Sequence, residues 1–87
     1  MEYSTKTTPR FHQSFIDGIV KPLFLNSYLP PEMARPHLMK HLSFGDTLEI
    51  EVIGEHELLI GITMGEIRTV MRFVCNEDNY VKGILPE

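Results

Sequence analysis

The sequence predicts an α+β fold, with one or two N-terminal helices packed on a three- to four-stranded antiparallel β-meander. Three observations carry that prediction. Residues 44–74 alternate apolar and polar side chains with the two-residue period of a half-buried sheet. The alternating stretch is broken only at short turn sequences, Gly54-Glu55-His56 and Gly65-Glu66. Residues 11–23 instead repeat their apolar side chains every three to four positions, the period of a core-facing helix.

The chain reads as a single domain over residues 1–87, helical over 9–42 and a meander over 44–85. Residues 1–8 are rich in Ser and Thr, and are expected to fray or to lend an edge strand. Thr8-Pro9 is a helix start: the Thr hydroxyl accepts an early N–H, and Pro at the first helical position gives up no bond. Phe11, Phe15 and Ile19 then recur every four residues, with Ile16, Val20 and Leu23 beside them. Pro22 lacks an N–H and disfavours a helical Lys21, so the helix is expected to end or kink near Val20. A largely apolar connection follows. Pro31 and Glu32 suit a second helix start, and Pro36 either divides that helix or kinks it. Helix is expected over 36–42 in both cases, with Leu38, Met39 and Leu42 facing the core.

In the sheet, Leu48, Ile50 and Val52 share one face of the first strand, and Glu49 and Glu51 the other. Leu58, Ile60, Ile62 and Met64 do the same in the second. Gly65 stands where a two-residue type II′ turn requires a positive φ. Met64 then lies opposite Ile67, Ile62 opposite Thr69, Ile60 opposite Met71 and Leu58 opposite Phe73. The preceding hairpin, closed by Ile53 against Glu57, sets Val52 against Leu58, Ile50 against Ile60 and Leu48 against Ile62. Every inward residue meets an inward residue, as a sheet buried on one face demands. The polar run 76–79 is a loop, and 80–85 forms a possible fourth strand, weakened by Gly83.

The same register defines an outer face. Glu51, Leu59 and Arg72 form one row; Glu49, Gly61 and Val70 form the next; Val74 and Arg68 sit at the ends. Leu59, Val70 and Val74 are apolar groups outside the main core, set among charges of both signs around a flat position at Gly61. Such a patch fits a protein contact, or a helix or N-terminal segment of the chain itself. The candidate interface residues are Glu51, Leu59, Gly61, Val70, Arg72 and Val74.

Composition bears on the function classes. At 87 residues a single core is only marginally sufficient alone, which makes a partner subunit, a homodimer among them, an expectation. Twelve acidic against eight basic residues give a formal charge of −4 with no Lys/Arg cluster, which argues against nucleic acid. No apolar run is long enough to cross a bilayer. The initial MEYSTKTTPR lacks the apolar segment of a secretory signal, and a single Cys75 has no internal disulfide partner. A reducing cytoplasm is expected.

His37 and His41 have the four-residue spacing that places two imidazoles on one helix face, with His12 and Cys75 the only further ligands in view. Surface histidines near a helix C-terminus explain them as well, and neither metal nor cofactor is expected. Cys75 precedes an acidic loop that opposes a thiolate. The carboxylates Asp46, Glu49, Glu51, Glu55, Glu57 and Glu66 read as a solvated strand face rather than acid–base pairs. No phosphate loop or Ser/His/Asp set is present. The sequence therefore reads as a small acidic non-enzymatic factor, an accessory or inhibitor protein, that binds protein through the outer face or a sheet edge.

Two resemblances add to this. LPPEMARPHLMKHLSFGDTLEIEVIGEHELLI, residues 29–60, is similar to the SpoVT/AbrB-type swapped-hairpin domains of transcription regulators and antitoxins. The resemblance implies an alternative function, an intertwined dimer that binds DNA, with Arg35 and Lys40 as phosphate contacts. The basic first strand of that family has no counterpart, since Leu25-Asn26-Ser27-Tyr28 is uncharged. QSFIDGIVKPLF, residues 13–24, resembles a late helix of cyclic-nucleotide phosphodiesterases. The metal-binding His and Asp motifs of those enzymes are absent here, and the resemblance implies a helix without an activity.

Overall fold

A computed structural model describes residues 13–87. The Thr8-Pro9 helix start, Phe11, His12 and the 1–8 segment lie outside the described residues. Helix α1 covers residues 13–24, and its middle, Ile16–Val20, is wound as π-helix. In an α-helix the Pro22 ring would crowd the Gly18 carbonyl and leave it without a donor. The wider π turn moves the bonding one residue back, and the Lys21 N–H donates to the Ile16 carbonyl. The helix thus passes Pro22 and closes at Leu25, whose N–H reaches the Lys21 carbonyl at 2.9 Å. The end expected near Val20 falls at Phe24. The π turn also rotates the apolar stripe: Ile16, Val20 and Phe24 are buried, while Ile19 and Leu23 are about half exposed.

Helix α2, Pro31–Met39, begins at the expected Pro31 and holds Pro36 within it. Pro36 removes the N–H that would bond the Glu32 carbonyl, and both residues lie on the exposed side, where water supplies the missing donor. The helix ends at Met39, short of the expected Leu42. Ala34 and Leu38 face the core; Met39 does not, being 46% exposed. Leu42, past the helix end, still packs against the core.

Four strands, β1 (Thr47–Gly54), β2 (Glu57–Met64), β3 (Ile67–Cys75) and β4 (Val81–Pro86), form an antiparallel sheet in that order. All of the pairings expected for the first three strands are present, from Leu48 opposite Ile62 to Leu58 opposite Phe73. Gly65 has φ 64°, while Glu66 is not among the residues of positive φ, the combination of a type II′ turn. The β1–β2 turn differs from the expected closure. Gly54, not Ile53, pairs with Glu57 around a two-residue turn, and the extra residue is absorbed as a bulge between Val52 and Gly54. The fourth strand forms, with its own shift opposite Val74 and Cys75.

Both described helices lie on the inner sheet face. Ile16, Val20, Phe24, Ala34 and Leu38 join Leu48, Leu58, Ile60, Ile62, Met71, Phe73, Val81 and Ile84 in one core. The ring of Phe24 meets that of Phe73 at 6.1 Å. Each fully buried side chain of this size contributes about 1.5–3 kcal/mol, and truncating Phe73 to Ala would cost about 3–5 kcal/mol. The core stops short of the far end of β1. Val52, expected to face inward and be buried, has the inward parity yet is 58% exposed, because α2 crosses β1 only near Leu48, where Arg35 Nη1 donates to the Leu48 carbonyl at 3.3 Å. Among the described residues no helix is long and apolar enough to cross a membrane.

Candidate functional site

The outer sheet face is built from the side chains that the alternation turns away from the core. Strand pairing places Glu51, Leu59, Arg72 and Leu85 in one row, and Glu49, Gly61 and Val70 in the next. Glu57, Val74 and Gly83 form a third. Leu59, Val70 and Val74 are half-buried and Leu85 is 52% exposed. These four make a broken apolar band across β2, β3 and β4. The described helices, lying on the other face, do not cover it.

Two arginines of β3 organise the charges around the band. Arg68 reaches diagonally over β2 to the Glu49 carboxylate on β1. That path is open because position 61 is glycine: a Cβ there would stand 3.0 Å from Arg68 Nη2 and 3.3 Å from Glu49 Oε1. Gly61 is therefore buried beneath an ion pair, a correction to its expected role as a bare flat spot. Arg72 donates to Glu57 Oε1 and, through Nε and Nη2, to the Glu87 carboxylate, each at 3.2 Å. Glu87 first and Glu57 second hold the Arg72 guanidinium even further from deprotonation than usual. Glu51 is exposed and has no basic partner among the described residues. A shallow depression of about 230 Å³ opens here, bordered by Glu51, Leu59, Val70 and the Glu49–Arg68 pair.

The strand register thus brings Glu51, Leu59, Gly61, Val70, Arg72 and Val74 onto one face. Leu85 and Glu87 extend that face beyond the expected set. Their parity on a fourth strand was the only signal in the sequence, and Gly83 with the shift at Val74/Cys75 blurred it.

The other candidates fall elsewhere. His37 is on α2, but His41 is past its end and sets its ring edge-on to Phe24 at 5.3 Å, so the two imidazoles do not share one helix face. They border a second cleft with Lys40, Ser27 and Tyr28. Basic side chains there complement the partial negative charge of the α2 C-terminus. Among the described residues no cluster of three or more His, Cys, Asp or Glu is placed to hold a metal ion. Cys75 is buried on the inner face, and burial pushes its thiol pKa up, which disfavours the reactive thiolate. Residues 29–60, similar to swapped-hairpin regulators, form α2, β1 and the start of β2, with β1 and β2 paired in the same chain. Compared with known proteins, the chain matches no family model, no curated protein and no solved structure.

Proposed function

We propose that the chain is a small acidic, non-enzymatic protein-binding factor, an accessory or inhibitor protein of the reducing cytoplasm, whose contact surface is the outer sheet face. The observation that carries this reading is the apolar band of Leu59, Val70, Val74 and Leu85, which no described helix covers. Sheets ordinarily leave such a face polar when it meets only water. Here an apolar centre is rimmed by Glu49, Glu51, Glu57, Glu87, Arg68 and Arg72, the pattern of an apolar core and polar rim seen in protein contacts. The contact is with a partner protein, a second copy of the chain included. The cross-strand pairs hold the rim charges in fixed positions, which favours specificity over raw affinity.

The test is a double substitution, Leu59→Glu with Val70→Glu. Circular dichroism and thermal melting are expected to stay close to the parent, since the groups lie outside the core. Association, read by sedimentation equilibrium for the homodimer and by retention of partner proteins from a host lysate, is expected to be lost. Unfolding of the double variant would show that the band is core, and would end the proposal.

A further inference from the structure

We infer that the open edge of β1 is a strand-addition site for an extended protein segment that alternates basic and apolar residues, an inference that rests on the reading of the chain as a protein-binding factor. The backbone phase identifies the available groups. A two-residue turn makes Met64 and Ile67 a pair that exchanges both N–H···O bonds. Counting back in twos, Ile62, Ile60 and Leu58 bond toward β3, so Gly61 and Leu59 bond toward β1 and its partners Glu49 and Glu51. Leu48, Ile50 and Val52 consequently turn their N–H and C=O groups outward. Three observed bonds agree with that phase. Glu87 N–H donates to the Val70 carbonyl at 2.9 Å and Cys75 N–H to the His56 carbonyl at 2.8 Å. Arg35 takes the outward carbonyl of Leu48. Among the described residues no bond reaches the outward groups of Ile50 and Val52.

The two sheet edges are treated differently. At the β4 edge, Val81 donates to the Ser27 carbonyl at 2.9 Å and accepts from Asn26 N–H at 2.7 Å, Tyr28 bridges Tyr80, and the strand ends on Pro86. The β1 edge has neither Pro nor Lys, and its bulge comes only at its last residues. An edge without such protections pairs readily with another strand. The open residues, 49–53, extend about 17 Å at 3.4 Å per residue, the length of an ordinary strand.

The side chains select the occupant. On the inner side Ile50 is half-buried and Val52 is 58% exposed, so each gains cover from an apolar neighbour on an added strand. On the outer side Glu49 and Glu51 flank the same edge; Glu49 is already paired with Arg68, and Glu51 is not paired among the described residues. A second β1 fits poorly. A two-fold axis that keeps the inner faces together and is centred on Ile50 sets Glu49 against Glu51, and one centred on Glu51 sets that residue against itself. One centred on Val52 meets the bulge. Like charges directly opposite destabilise a strand pair, whereas Lys or Arg opposite Glu51 stabilises it. Charge thus favours a basic, alternating segment over self-pairing.

The experiment titrates the isotope-labelled full chain with a synthetic peptide of about seven residues, alternating lysine and valine with blocked ends, and with its glutamate-for-lysine counterpart. The lysine peptide is expected to shift the Ile50 and Val52 amide resonances and slow their hydrogen exchange. The Glu49 and Glu51 amides, already bonded to β2, keep their native protection. The glutamate peptide is expected to bind about tenfold more weakly, and Glu51→Lys to invert that preference. Absence of any shift at Ile50 and Val52 with millimolar lysine peptide overturns the inference, as does an unchanged preference in Glu51→Lys. The Leu59→Glu, Val70→Glu variant retains peptide binding at the β1 edge, so failure of the outer face and failure of the edge are read separately.

Discussion

Thr69 lies on the inner face of β3, wholly buried opposite Ile62, and its hydroxyl finds no hydrogen-bond partner. A buried polar group left unsatisfied costs about 1–3 kcal/mol relative to one that is bonded, while an apolar group of the same shape carries no such cost. Thr69→Val keeps the branched shape that β3 needs and removes the stranded oxygen. It is expected to raise stability by about 1 kcal/mol, or about 4–8 °C in melting temperature for a domain of this size. Thermal and urea unfolding of the two proteins check this; a loss of stability would mean that the hydroxyl is bonded after all. Gly61 makes a different residue-scale point. Its value lies in the missing Cβ, which leaves the Arg68 side chain a path to Glu49.

At the scale of elements, the strands were largely legible in the sequence and the helix ends were not. A period of two leaves a strand only one choice of buried face, and Gly65 anchors the register, so the rows containing Leu59, Val70 and Arg72 follow from parity alone. Parity also survives the misplaced β1–β2 closure, because the bulge at Ile53 absorbs the extra residue. It does not report what covers a face, and the exposure of Val52 depends on where α2 happens to cross. The diagonal Glu49–Arg68 pair spans three strands and has no mark in the local pattern. Helix α1 outruns its expected end because a proline forbids the α hydrogen bond but not the π turn before it. Within that π segment Gly18 is exposed, and a Cβ built on it meets nothing within 4 Å. Gly18→Ala lowers the backbone entropy lost on folding without a clash, and is expected to stabilise the protein by about 0.5–1 kcal/mol. Helical circular dichroism should hold or rise, and the urea midpoint should move up. A fall in the midpoint would mean that the π segment requires glycine's conformational freedom.

For the whole molecule, electrostatics acts through two terms whose balance changes with pH. At pH 7 the formal charge is only −4, so self-repulsion is mild, and the pairs of Arg68 with Glu49 and of Arg72 with Glu57 and Glu87 hold β1 through β4 together. Asp17 on α1 adds a further term: hydrogen bonds from Lys21 and then Gln13 hold its pKa below the usual 3.8. A carboxylate depressed in the folded state contributes stability above its unfolded pKa, and that contribution is lost as pH falls through the folded value. These groups are exposed, so each pair is worth little alone and salt weakens it. Near pH 3 most carboxylates are protonated and the pairs are gone. Eight Lys and Arg residues together with four protonated His then leave a large positive charge that opposes the compact state. Salt therefore acts in opposite directions in the two regimes. At pH 7 it screens attraction, and 0.5 M sodium chloride, where the Debye length shrinks to about 4 Å, is expected to leave the melting temperature unchanged or slightly lower. At pH 3 only repulsion is left to screen, and the same salt is expected to raise the melting temperature. Melting at both pH values with and without salt checks the reversal. A rise of equal size at pH 7 would mean that the cross-strand pairs contribute nothing, and that the outer rim is held by backbone pairing alone.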